Sequence, residues 1–233
     1  MKKILCVLFT SLLLAPCFDA KAQRQLTEKE KTEYKQRIED VVNDFNGRVS
    51  EIWRRPNRVE SQNMDRFRAA KEVEINAALK LFIGDGKEYE EEVIGERWDS
   101  YEHRYVKFIE KEKHPAAVME TSSIYSTKIT RQTVESYLRK AAKAVGSRIE
   151  VSACDAYFAS DLKEVESING KRRYEATVAF VQDFVRYDRE GRKVYSDRTT
   201  KTIRVYITTE KRFDEEVFIV ELGDIRVVET QRL

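Results

Sequence analysis

Two histidines, one cysteine past the first twenty residues and a knot of arginines carry most of the obvious chemistry in this 233-residue chain. A metal centre needs several ligands at defined spacing. His103 and His114, the only histidines, stand beside glutamate-rich stretches without that spacing, so no metal ligand is assigned. No G-x-S-x-G elbow, P-loop or glycine-rich phosphate cradle occurs. The sequence therefore assigns no catalytic residue by motif and implies no cofactor. Arg186, Arg189, Arg192 and Lys193 cluster at one turn, with Arg198, Tyr187 and Tyr195 close by. Such a tip could dock an acidic partner or an envelope polymer. Asp188, Glu190 and Asp197 dilute its charge, which favours a solvated hairpin end. Trp98 is a candidate binding aromatic, whereas Trp53 prolongs an apolar helix face and is expected mostly in the core.

The first 22 residues read as a leader. Lys2 and Lys3 form a positive start, Ile4 to Ala15 is a short apolar run, and Ala20-Lys21-Ala22 fits a cleavage site. The apolar run is too short for a comfortable membrane span. The expected product is periplasmic or secreted and begins at Gln23. The rival is a lipoprotein anchored through Cys17, which the preceding Pro16 disfavours. Cleavage removes Lys2, Lys3, Lys21 and Asp19 and leaves no net formal charge. A neutral balance gives no support for nucleic-acid binding. It also leaves Cys154 as the sole cysteine, expected as a buried thiol rather than an intermolecular bridge.

The elements that must position these residues follow from periodicity. Thr27 and Glu30 form a capping box ahead of a helix over 28–53. Tyr34, Ile38, Val41, Phe45, Val49 and Ile52 place its apolar face. Arg54-Arg55-Pro56 ends it. A second helix is expected over 61–83, stopped by Gly84-Asp85-Gly86, with Met64, Phe67 and Phe82 as core. Residues 87–113 are charged, with aromatics of no sustained period. Short strands are expected at 91–94, 105–110 and 116–122. A third helix is expected over 131–145, capped by Thr130 or Thr133, with Val134, Tyr137, Leu138, Ala141 and Val145 on one face.

From 149 to 230 the chain reads as a meander of four long antiparallel strands. Asn169-Gly170 between two apolar runs is a strong hairpin signal, because both turn residues need φ > 0. A second turn lies at 188–192 and a third near 210–215. Tyr174, Ala176, Val178 and Phe180 alternate with polar residues, as do Ile203, Val205 and Ile207. In the last strand Phe218, Val220 and Leu222 hold even positions, whereas Ile225 and Val227 hold odd ones. The switch at Gly223-Asp224 predicts a β-bulge.

This order of elements, the Asn169-Gly170 hairpin and the ending Phe218–Val227 resemble the nuclear transport factor 2-like, or cystatin-like, α+β superfamily. The leader ending in Ala22-Gln23 resembles those of exported Bacteroidetes proteins. The resemblance implies a single domain over 23–233. Its N-terminal helices would pack in the concave face of a strongly curved antiparallel sheet, leaving a cone-shaped pocket. Enzymes of that shape place an Asp or His base in the cone beside a tyrosine or protonated acid. The residues matching that role are Asp155 and Asp183, with Tyr137 and Tyr157 as donors. Val151, Ala153 and Tyr157 share the parity of Asp155, so the sequence leaves its face open. The alternative for both acids is a solvent-face or edge-strand carboxylate that discourages sheet pairing.

Fold does not decide function. The reading favoured by the sequence is an exported, non-enzymatic binding or assembly protein of the bacterial cell envelope. Its partners would be an envelope protein, a second copy or a small hydrophobic ligand. The alternatives are a small-molecule enzyme or carrier using the cone, and a periplasmic part of a conjugation or secretion machine.

Overall fold

A computed structural model describes residues 26–144, 148–168, 171–188, 190–212 and 215–233, and leaves out the side chains of several strand residues, 153–155 included. The expected leader, with Cys17, lies outside the described residues. Helix α1 spans Glu28–Trp53. Thr27 caps it by both halves of the expected box: its hydroxyl accepts from the Glu30 N–H, and the Glu30 carboxylate accepts from the Thr27 N–H. The buried face is Tyr34, Ile38, Val42, Phe45, Asn46, Val49 and Ile52. Val42 takes the central place expected of Val41, which packs at the margin of the core. Helix α2, Met64–Leu79, is shorter than expected at both ends. Asn63 caps it after a 3-10 turn at Glu60–Gln62. Past Leu79 the chain extends so that Phe82 bridges to Leu222. The left-handed residues, Gly84 at φ 61°, Asp85 at φ 53° and Gly86 at φ 66°, come only afterwards. Helix α3 is Val134–Lys143, with Thr133 as its cap.

The charged stretch after α2 forms a long two-stranded ribbon, β1 (Tyr89–Asp99) and β2 (Arg104–His114), paired in register throughout. It is longer and more regular than the short strands expected there. Gly95 faces Phe108 across the ribbon, and a Cβ on Gly95 would sit 2.5 Å from that ring. The ribbon's root is tied down by Arg173, whose guanidinium meets Glu91 at 2.6 Å and lies over the Tyr206 ring at 4.6 Å. Next comes a hairpin of β3 (Val118–Ser123) and β4 (Ser126–Thr133). Strand β4 takes in residues 131–133, which were expected to open the third helix.

The meander is present with one correction. The run expected as a single strand over 149–168 is interrupted. Its parts, β5 (Arg148–Phe158) and β6 (Lys163–Ile168), both pair with β7 (Lys171–Tyr187). The break falls where the Ala159 and Ser160 N–H groups donate to the Thr177 carbonyl. Ile168 pairs with Lys171, so a two-residue connection joins β6 to β7. The Asn169-Gly170 turn itself lies outside the described residues. Strands β8 (Lys193–Arg212) and β9 (Glu215–Arg232) complete a seven-stranded sheet of order β4-β3-β9-β8-β7-β5 with β6 beside β7.

The sheet is mixed rather than wholly antiparallel, because β3 runs parallel to β9. That seam has one registered pair, Met119 with Ile225. Carboxylates stitch the rest: Asp224 accepts from the Val118 N–H at 2.9 Å, and Glu120 accepts from the Val227 N–H at 3.1 Å. The bulge lies where expected. Ile203 pairs with Ile225 and Val205 with Leu222, so Gly223 and Asp224 stand opposite Arg204 alone. The extra residue turns both Leu222 and Ile225 inward, and each is fully buried.

The three helices pack against this sheet. Tyr34 meets Tyr174 and Phe218, and Phe45 meets Phe82 edge-on with ring centres 5.1 Å apart. The strand faces turned to the helices carry even residues in β7 and odd residues in β8. Pairs on the opposite face, Asp183 with Arg198 and Glu175 with Arg204, are charged.

Candidate functional site

The parity that buries the core continues past it into polar residues. Beyond Phe180, the helix-facing positions of β7 are Gln182 and Phe184. On β8 the same face carries Lys201, Thr199, Asp197 and Tyr195, opposite Phe180, Gln182, Phe184 and Arg186 in turn. These strand ends outrun the core and meet the last turn of α1, helix α3 and strand β3 around a cavity of about 680 Å³. That volume falls in the range of about 300–1,000 Å³ usual for small-molecule sites.

One wall is aromatic. Trp53 packs edge-on against Tyr137 and Phe184, Phe184 packs edge-on against Tyr195, and Tyr195 meets Tyr125 at a tilt. The Trp53 indole N–H donates to the Tyr137 hydroxyl at 3.2 Å. Burial pushes the Tyr137 phenol above its ordinary pKa, so the hydroxyl stays protonated. Tyr125 and Val194 are exposed and stand at the mouth with Lys140 and Arg186.

The floor is a buried polar ladder. The Lys201 ammonium donates to Gln182 Oε1 at 2.7 Å. Gln182 Nε2 donates to Asn46 Oδ1 at 2.7 Å, and Asn46 Nδ2 donates to the Val42 carbonyl at 3.0 Å. This chain runs from β8 through β7 into α1. Asn46, Gln182 and Lys201 are each 5% exposed or less. Desolvation pulls the Lys201 ammonium down to about 8, while the field of Asp197 opposes that fall. Asp197 is buried as well, and loss of water raises its carboxyl pKa. Its carboxylate accepts from the Tyr195 hydroxyl, which also lies 3.1 Å from Ser123 Oγ. An ammonium, an aromatic wall and a buried carboxyl beside a half-buried phenol can bind an amphipathic molecule or move a proton.

The residues singled out in the sequence scatter around this site. Tyr137 lies in it. Asp183 does not: β7 alternation turns it to the far face, where Arg198 clamps it with two bonds of 2.8 Å. Of the two readings offered for Asp183, this position matches the far-face carboxylate. Tyr157 is half-exposed on β5 and lines none of this cavity. Asp155 falls where β5 slips register between Cys154 and Tyr157, and its side chain lies outside the described residues. Arg186 reaches the cavity mouth. Arg192 instead folds back on Asp188 and Glu190, and Lys193 is exposed, while Arg189 lies outside the described residues. Trp98 sits half-exposed on the β1–β2 ribbon, packed only against Tyr105 among its described aromatic neighbours. Trp53 is part core and part cavity wall. His114 stacks on Tyr89 beside Glu91, and His103 occupies a turn at φ 48°.

Lys201, Gln182, Asn46, Asp197 and Tyr195 form the site without any motif to mark them. A signal does exist: running the odd parity of Ile203 backward puts 201, 199, 197 and 195 on the inner face. Asp197 reads as part of the charged turn instead, because the strand extends further than its apolar part.

No helix among the described residues is long and apolar enough to cross a membrane. No protein-family model, curated protein or solved structure matches the chain.

Proposed function

We propose that this chain is an exported, non-catalytic binding protein of the cell envelope, built as a nuclear transport factor 2-like cone. Its ligand is a small amphipathic acid held in the cavity between Trp53 and Lys201. The observation that carries this reading is a buried ammonium at the floor of an open, aromatic-walled cavity. Burying a lysine is costly, and an incoming carboxylate would offset that cost. The aromatic wall suits the apolar remainder of such a ligand. Lys140 and Arg186 at the mouth favour the same sign of charge.

Trp53 and Trp98 are the only tryptophans, so Trp98→Phe leaves a single reporter in the cavity wall. Titrating that variant with decanoate and with naphthoate should change its emission saturably, and decanol should bind more weakly. Adding Lys201→Met should weaken decanoate binding about tenfold or more, the range of a charge-assisted hydrogen bond. Equal affinity for decanoate and decanol, unaltered by Lys201→Met, would defeat the reading.

One observation favours a second reading, a small-molecule enzyme. The buried Asp197 beside the Tyr195 hydroxyl supplies the acid–phenol pair that Asp183 cannot. That reading requires turnover of a bound carbonyl compound to vanish in Asp197→Asn while its binding persists.

A further inference from the structure

A second cavity, of about 470 Å³, lies among the end of α1, the first half of α2 and the end of α3. Its lining is lopsided in charge. Arg54, Arg55, Arg68, Lys71, Arg139 and Lys143 face it, and Glu72 is the single carboxylate among the lining residues. Two of the guanidinium groups are held in place from behind. Arg54 forks onto Glu60 at 2.7 and 2.9 Å and reaches Glu51 at 2.8 Å. Arg139 is fixed between Glu72 and Glu135.

Lys71 is different. It is 8% exposed, in the middle of α2, and its ammonium lies 4.9 Å from the centre of the Phe67 ring. Arg54 approaches the same ring at 5.3 Å. Among the described residues no carboxylate pairs with Lys71 or with Lys143 at the rim. A buried ammonium compensated only by a ring face, with a second cation nearby, is an unfavourable arrangement unless an anion completes it. Burial and the repulsion of Arg54 lower the Lys71 pKa, and a bound anion would reverse that shift.

We propose that this cleft binds the phosphate group of a small phosphomonoester, with Lys71 and Lys143 as its direct partners. A dianion answers the excess of positive lining charge better than a single carboxylate does. Met64, Phe67 and Pro56 supply apolar contact for the remainder of the molecule. Free phosphate, a soluble phosphomonoester and a lipid headgroup share this chemistry. The site is distinct from the proposed acid-binding cavity: Lys201 is not in its lining, and the two linings share only Ala144.

The test is calorimetric titration of the full chain with inorganic phosphate and with glycerol phosphate, plus flotation with phosphatidylcholine vesicles containing phosphatidic acid. At least one arm should show saturable binding, and the arm that binds identifies the source. Lys71→Met should weaken that binding tenfold or more, Lys143→Met about threefold, and Lys201→Met not at all. If Lys71→Met fails to fold, Lys143→Met decides alone. Absence of saturable binding in all three arms would overturn the proposal. So would unchanged affinity in a folded Lys71→Met protein, or in Lys143→Met where that variant decides.

Discussion

Replacing Lys201 by methionine separates what this residue costs from what it does. In the folded chain its pKa falls from the ordinary 10.5 to about 8 because the ammonium has lost its water. The folded-state value lies below the unfolded one. The unfolded chain therefore binds more protons between about pH 8 and 10.5, and stability rises with pH across that window. Below pH 8 the full penalty is present. At about 1.4 kcal/mol for each tenfold change in proton affinity, it amounts to ~3 kcal/mol. Methionine removes that penalty but strands the Gln182 carbonyl oxygen, which costs about 1–3 kcal/mol. At pH 7 the variant should be level with the parent or up to ~2 kcal/mol more stable. Above pH 10.5 a neutral lysine still donates to Gln182, and the order should reverse. Urea denaturation of both proteins from pH 7 to 11 measures the difference, from which the shared tyrosine titrations cancel. The difference should swing by ~3 kcal/mol. A flat difference across that range would refute the claim that the ammonium is buried and charged in the folded protein.

Other perturbations probe the frame around the cavity. Asp183→Asn removes an ion pair whose arginine side chain is 47% exposed, so it should cost at most about 1 kcal/mol and leave decanoate affinity unchanged. A larger effect on binding would return Asp183 to the site. Gly84→Ala should cost about 1–3 kcal/mol in urea unfolding, because φ is +61° and the new Cβ would meet the Tyr89 ring at 2.5 Å. Phe45→Ala empties the contact with Phe82 in the fully buried core and should cost about 3–5 kcal/mol, read as a lower midpoint with an unchanged slope.

Local rules are legible in this chain wherever one force dominates. The capping box at Thr27, the Thr133 cap and the inward alternation of β7 and β8 each follow from a few neighbouring residues, and each is present. The bulge at Gly223-Asp224 is readable because a strand that keeps one face buried changes parity only by adding or skipping a residue. The β1–β2 ribbon is not readable. Its two faces are both largely wet, so alternation carries no hydrophobic signal. Strand β4 is obscured for the same reason: Ser126–Thr133 is mostly polar and lies on the sheet edge. The candidate site is hidden by a different cause. Its polar residues continue apolar strands, and a search for apolar alternation stops where they begin. Only the pairing of Phe180 with Lys201 and Phe184 with Asp197 brings them together.

The place of β9 in the sheet has a consequence for how the molecule comes together. Though it follows every other strand along the chain, it lies inside the sheet, between β8 and β3. Until it arrives, the β3–β4 hairpin has no strand of the sheet to pair with, and the Leu222 and Ile225 side chains are missing from the middle of the core. Assembly must wait for contacts between residues more than a hundred positions apart, such as Val118 with Asp224. Such wiring makes for slow acquisition of structure and leaves strand edges bare until β9 has been made. A helper that shields those edges during synthesis would have its greatest effect in that interval.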